Sequence, residues 1–428
     1  MTVFIVSLGS VLTALQTPQP LTLDEVVKIA RQNAYSVATA EAEARRVEAS
    51  VQEAKGSVLP KIGVNGTYTR FAEENKVVFD PSQPPITFRP IDRKLIQLSL
   101  QQPVDITGAF GLAISAAWAL RHATDALVMA AANDAAEQAK SAFFQVLVAE
   151  DLVTVAEENL ANRKLQLQMA ERRVAAGVAA KFDVIRAQTD VTAAEQELLR
   201  AKNGVQLAKS ALNNVLARDV STPFELARPE APPPIPDDLG PLTEMARQGR
   251  PELIAARMQL QFRKRFRQVQ EKGNLPTLTI SANLDHNPDA KGLGSERETL
   301  SATALLNIPL FEGGVTKARV RQAREEEQKA EIAVQQTQNA VDLQVKQAFL
   351  DVQTAYKVIE VAKQSVEQAT EALRLARLRY EAGVGTPLEV SDAATAFAFA
   401  RTNLVRAEFD YAVAYGRLQR AVGKEDLK

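Results

Sequence analysis

Cysteine is absent from this 428-residue chain. That excludes a disulfide scaffold, a zinc–thiolate site and an iron–sulfur cluster. An N-terminal lipid anchor, which needs a cysteine, is not expected either. Histidine occurs twice, at His122 and His286, and neither lies at the spacing of a metal site or a catalytic triad. His122 reads as a helix-face residue and His286 as a loop residue. No catalytic residue, metal site or cofactor is predicted, and the chain is not read as an enzyme. Gly313-Gly314 is followed by no phosphate-loop Lys-Ser/Thr. Charge of one sign is missing too: 51 basic residues stand against 52 acidic ones and are scattered, which argues against nucleic acid as a partner. No internal segment is apolar and long enough to be a transmembrane helix. The apolar run from Val3 to Leu15 is too short to span and is expected to belong to a signal-like or disordered leader over 1–20.

Aromatic residues make up only 5% of the chain, whereas Ala, Gln, Glu, Arg and Val are plentiful. That mixture favours long packed helices. The stretches AERRVAAGVAAKFDVIRAQ, from Ala170, and ARLRYEAGVGTPLEVSDAA, from Ala376, expose a duplication. Phe143, Gly177, Pro103 and Gly108 recur as Phe349, Gly383, Pro309 and Gly314, a shift of 206 positions. Nearer each start, Ala30-Arg31-Gln32 and Pro60 recur as Ala246-Arg247-Gln248 and Pro276, a shift of 216. The first copy therefore holds ten more residues between Pro60 and Pro103, assigned to FDPSQPPITFRP. The expected layout is a first repeat over 21–218, a Pro-rich linker over 219–240, a second repeat over 241–423 and a tail over 424–428.

Each repeat reads as helix, two strands, long helix, shorter helix. In the second, Val345, Phe349, Val352, Tyr356 and Ile359 begin a stripe with alternating steps of mostly three and four. Val390, Ala393, Phe397, Ala400 and Leu404 begin another, and the first repeat matches it from Val184. Such heptads predict antiparallel helices wrapped as coiled coils. Gly383 ends the outgoing helix, and Thr386-Pro387-Leu388-Glu389 restarts it with an N-cap, a proline at the first helical position and a capping-box glutamate. Gly177 is the first copy's stop, with a weaker restart at Lys181-Phe182-Asp183. The hairpin tips thus fall at about 175–181 and 382–387. The outgoing helix from Val315 to Glu381 measures roughly 100 Å and its partner about half that. A single helix from Asp24 to Ser57, started by the Thr22–Glu25 capping box, has the missing length.

The segments between the paired prolines alternate with period two. Strands are predicted at about 61–70, 94–103, 277–286 and 298–308. Ile96, Leu98 and Leu100 oppose Gln97, Ser99 and Gln101; Leu278, Ile280, Ala282 and Leu284 oppose Thr279, Ser281, Asn283 and Asp285. Taken alone, they read first as an ordinary sheet with one wet face. Two hairpins, however, are too small to cover helices roughly 100 Å long as a conventional layer. Strands of about ten residues also suit a membrane-spanning β-barrel. Four strands cannot close a barrel, and lipid does not tolerate open edges, so a membrane reading requires several copies sharing one barrel.

LTLDEVVKIARQN, the Leu59-Pro60 break, IPLFEGGVTKARV and RLRYEAGVGTPLEVSDA resemble phrases of the TolC-type outer-membrane efflux family, nearly throughout from Leu21 to Gly423. The resemblance implies a mainly α chain with a small β part. It implies a homotrimer with a twelve-stranded barrel in outer-membrane lipid, continued by a long coiled-coil α-barrel through the periplasm. It also implies an efflux or type I secretion duct that docks a periplasmic adaptor and, through it, an inner-membrane pump. The competing expectation is a soluble periplasmic or cytoplasmic coiled-coil scaffold or adaptor without a pore.

Candidate site residues follow. Glu389 and Asp392 lie three apart and share a helix face. By resemblance they ring the periplasmic mouth and favour cations, although acids near a helix N-terminus are also locally favoured. Asp183 holds the matching place in the first copy, where Arg186 replaces the second acid; an ion pair of Arg186 would make a closing latch. Ala176, Gly177 and Val178, with Gly383, Val384, Gly385 and Thr386, are the expected adaptor contacts, since turn chemistry explains the glycines but not an apolar valine at both apices.

Overall fold

The computed structural model describes residues 20–78, 81–82, 85–229, 238–290 and 296–424. Of the expected leader only Pro20 is described. Parts of the Pro-rich loop and of the linker, and all of the expected tail but Lys424, lie outside the described residues.

Helices α1 (Leu23–Asn33) and α2 (Tyr35–Gly56) lead into strand β1 (Lys61–Arg70). A small hairpin, β2 (Asn75–Val77) and β3 (Ile86–Arg89), precedes β4 (Asp92–Val104). Then follow α3 (Ala109–Ala175) and α4 (Lys181–Val215). The second repeat runs α5 (Leu239–Gly249), α6 (Pro251–Glu271), β5 (Thr277–His286), β6 (Glu298–Asn307), α7 (Val315–Glu381) and α8 (Pro387–Val422). The expected fold class, mainly α with a small β part in a duplicated unit, is what the chain adopts.

Four local expectations are corrected. The single helix from Asp24 to Ser57 is two helices, broken at Ala34, whose ψ of 138° leaves the helical region. The second copy breaks at the equivalent Arg250, where the following Pro251 disfavours helical backbone. The first repeat also carries the β2–β3 hairpin, an antiparallel pair whose β3 lies within FDPSQPPITFRP. The linker expected over 219–240 ends two residues earlier, because the Asp238 side chain accepts from Gly240 N–H and starts α5 at Leu239. His286 is the last residue of β5, with Nδ1 3.6 Å from Glu298 Oε1, and is not a loop residue.

The chain divides into two units. Of the described residues, one unit holds those within 20–40, 128–251 and 339–424; the other holds those within 41–127 and 252–338. In the first, two cores repeat the same design. Val26 and Ala30 of α1 meet Ala135, Ala139, Phe143 and Val146 of α3, together with Ala208 and Leu212 of α4 and the following Leu216. Leu242 and Ala246 of α5 meet Val341, Val345, Phe349 and Val352 of α7 and Ala414, Leu418 and Val422 of α8. The short helix and the end of the return helix thus converge on one stretch of the long helix. Burying each large aliphatic side chain stabilises by about 1.5–3 kcal/mol. After α4, Leu21 and Leu226 form a parallel bridge, with Leu21 N–H donating to Glu225 O at 2.8 Å.

The second unit holds a four-stranded antiparallel sheet in the order β1-β4-β5-β6. The β1–β4 and β5–β6 hairpins share one register: Ile62 opposes Leu100, and Leu278 opposes Leu306. Between the repeats, Leu98 opposes Leu284 and Val104 opposes Leu278.

Candidate functional site

The two tips lie in the first unit. At the first, Gly177 takes a φ of +73°, Gly177 N–H donates to Val174 O at 3.0 Å, and Val178 N–H donates to Arg173 O at 3.0 Å. At the second, Gly383 takes a φ of +81°, with Gly383 N–H on Tyr380 O at 3.1 Å and Val384 N–H on Arg379 O at 3.0 Å. Both are Schellman-type endings, which need the left-handed conformation that glycine tolerates best. The restarts differ. Ala180 precedes α4 without a side-chain cap. Thr386 Oγ1 accepts from Glu389 N–H at 3.2 Å. The expected reciprocal bond of a capping box is replaced: the Glu389 carboxylate lies 3.4 Å from the Thr386 hydroxyl and 3.3 Å from Arg379 Nε. The Thr22–Glu25 box, by contrast, is complete in both directions. Gly385 is tightly placed, because a Cβ there would sit 2.9 Å from Tyr380 N.

Val178 and Val384 are 64% and 70% exposed at the apices. Phe182 and Leu388, in the first turns of the return helices, are exposed as well. Sequence reasoning passed over that second pair, although both are apolar at the shift of 206 that defines the repeat. Ala176 is exposed beside Gly177.

Asp392 is exposed. Asp183 and Arg186 line a narrow crevice with Asp190, Tyr380, Pro387 and Ser391, which brings α4 of the first copy to the second copy's tip. Arg186, expected to form an ion pair, makes none among the described residues. The polar link is made instead by Arg163 of α3, only 9% exposed. Its guanidinium donates to Ser391 Oγ at 2.9 Å and to Thr395 Oγ1 at 2.8 Å, and lies 3.7 Å from Asp190 Oδ2. Nearby, the Arg173 guanidinium sits 4.5 Å above the Tyr380 ring. Burial pushes the Tyr380 phenol above its ordinary pKa. Burial likewise holds the Arg377 guanidinium below its usual value, and Arg377 Nη2 donates to Asn162 Oδ1 at 2.7 Å.

In the second unit, Val64, Leu98, Leu284 and Leu300 form one cross-strand row, all exposed. The opposite face carries Asn65, Gln97, Asp285 and Thr299 in one row and Gly63, Ser99, Asn283 and Ser301 in the next. Gln97 Nε2 donates to Asp285 Oδ1 at 2.9 Å. Among the described residues, no group of three His, Asp or Glu could hold a metal ion, and no helix is long and apolar enough to cross a membrane.

A duplicated chain of long coiled helices with one small four-stranded sheet defines a class of outer-membrane proteins. The family described as "Outer membrane efflux protein" matches residues 26–218 and 242–424, and the chain belongs to it. Its place is the outer membrane. Protein CyaE of Bordetella pertussis is 29% identical over 289 residues, covering 66% of this chain and 61% of that protein. Outer membrane efflux protein BepC of Brucella suis is 25% identical over 288 residues, covering 67% and 62%. The chain therefore spans about three fifths of the length of these two relatives. Among solved structures, CusC superposes with a TM-score of 0.81 at 16% identity, covering 94% of this chain and 92% of that one. The outer membrane protein VceC of Vibrio cholerae superposes with a TM-score of 0.77 at 21% identity, covering 94% and 96%.

Proposed function

We propose that three copies of this chain form a channel that serves as the exit duct of a tripartite efflux or type I secretion system. The observation that carries this reading is the sheet. One face is apolar and exposed, the other is polar, and among the described residues the two outer strands each have a neighbour on one side only. In the order β1-β4-β5-β6 the two edges run in opposite directions, so β6 of one copy can meet β1 of the next antiparallel. Three copies give a twelve-stranded barrel with the apolar face toward lipid, which removes every open edge.

The duct has no catalytic step; a pump supplies the energy. Val178, Phe182, Val384 and Leu388 on the tips are the apolar contacts for a periplasmic adaptor, with Ala176, Gly177, Gly383, Gly385 and Thr386 shaping the apices. Asp392 and Glu389, repeated three times around the mouth, favour cations, with Asp183 and Arg186 beside them.

Fractionation followed by reconstitution tests the proposal. The protein is expected in the outer membrane, as a trimer in detergent, with stepwise conductance in planar bilayers. A monodisperse monomer in the aqueous fraction without conductance would overturn it and leave a pore-free scaffold.

A further inference from the structure

The repeat fixes how neighbouring copies join. This inference rests on the trimeric barrel above and goes further, to a residue-by-residue register. The two hairpins already obey the duplication: the β1–β4 pair Ile62–Leu100 becomes the β5–β6 pair Leu278–Leu306 under the sequence shifts. The chain also contains one joint between repeats, β4 against β5, in which Leu98 meets Leu284, Leu100 meets Ala282, Gln102 meets Ile280 and Val104 meets Leu278. β6 is the second copy of β4, and β1 is the first copy of β5.

We infer that β6 pairs with β1 of the adjacent copy in the register of the internal joint. Ala304 then opposes Tyr68, Leu306 opposes Gly66, Ile308 opposes Val64 and Leu310 opposes Ile62 of the neighbouring copy. A second observation carries this independently. β4 runs to Val104, but its pairing with β1 stops at Gln101; its last three residues pair with β5 alone. β6 stops at Asn307, and the missing three, Ile308 to Leu310, are the counterparts of Gln102 to Val104. Among the described residues of one chain these three join no strand, and Leu310 is 93% exposed. The inferred joint supplies a partner: Ile308 and Leu310 face Val64 and Ile62, themselves among the exposed apolar residues of the sheet. Strand β6 lengthens by three residues on assembly.

The cysteine-free chain makes the test direct. Facing Cα atoms in an antiparallel pair lie about 4.5–5.5 Å apart, within disulfide reach, whereas a two-residue slip moves them beyond it. Leu306→Cys combined with Gly66→Cys, and Leu305→Cys combined with Thr67→Cys, sample both hydrogen-bonding phases. Offset controls combine Leu306→Cys with Val64→Cys or Tyr68→Cys. Each variant is first shown to be trimeric in detergent, then oxidised in membranes and run on a denaturing gel without reductant. The expected result is loss of the monomer band, with covalent trimers, for at least one in-register pair and not for the offset pairs. Stronger linkage at an offset pair, or no linkage at any pair in intact trimers, overturns the register alone. An unmodified protein that is monomeric in detergent overturns the trimer as well.

Discussion

The two hairpin tips share a backbone ending but not a restart. The second has Thr386 as cap, Pro387 in the first turn and Gly385 pressed against the end of α7. The first has an uncapped Ala180, and Ala179 in the place of Gly385. The polar fastening is unequal as well. Arg163 of the first copy reaches across to Ser391 and Thr395 of the second. Its own counterpart is Ala369, and the counterparts of Ser391 and Asp190 are Ile185 and Ala396. Duplication thus produced one shape twice, while side chains gave the second tip the firmer restart and tied the first copy to it.

Substitutions can break that contrast. The largest effect is expected at the apices: Val384→Glu should abolish efflux while trimers remain in the membrane, and Val178→Glu should do the same if both tips dock. Loss of trimers would show that the valines serve folding. Next, Arg163→Ala removes the guanidinium that donates to the Ser391 and Thr395 hydroxyls and lies beside the Asp190 carboxylate, at a cost of about 1–3 kcal/mol. Thermal unfolding followed by circular dichroism should register it, whereas Ala369→Ser should change almost nothing. Gly385→Ala should cost about 1–3 kcal/mol in the same measurement, because the added methyl meets backbone, while Ala179→Gly in the first copy should be nearly silent. The caps give a smaller, opposite pair: Thr386→Ala should lose about 1 kcal/mol, and Ala180→Asp should recover a comparable amount in the first tip. The smallest change in stability is expected for Asp392→Ala, which should instead lower single-channel cation selectivity. Unchanged selectivity would remove Asp392 from the mouth.

Much of the architecture is legible in the chain because backbone punctuation is local. Gly383, Pro387 and the 3.6-residue stripe bound α7 and α8, and strict alternation locates the four long strands. The break at Ala34 is not legible in its own copy, where no proline follows; Pro251 in the other copy holds the signal. The β2–β3 hairpin is hidden in a Pro-rich insertion without a repeat partner. The Arg163 link is invisible because one arginine on a long helix looks like any solvated charge until its neighbours are known. The tip glycines are readable as turns, but the exposed pair Phe182 and Leu388 requires the fold to show that they reach solvent.

Because the two repeats match in their long strands, β1 and β4 against β5 and β6, half a chain would already hold every element that one sixth of a cylindrical wall requires. Six halves in a ring would meet through six equivalent seams. Fusing them in pairs divides the seams into three sealed within a polypeptide and three left between molecules. The arginine clasp belongs to the first kind; at the second, the counterpart residues Ala369 and Ile185 could not form the same hydrogen bond, so the two kinds of seam would be fastened differently.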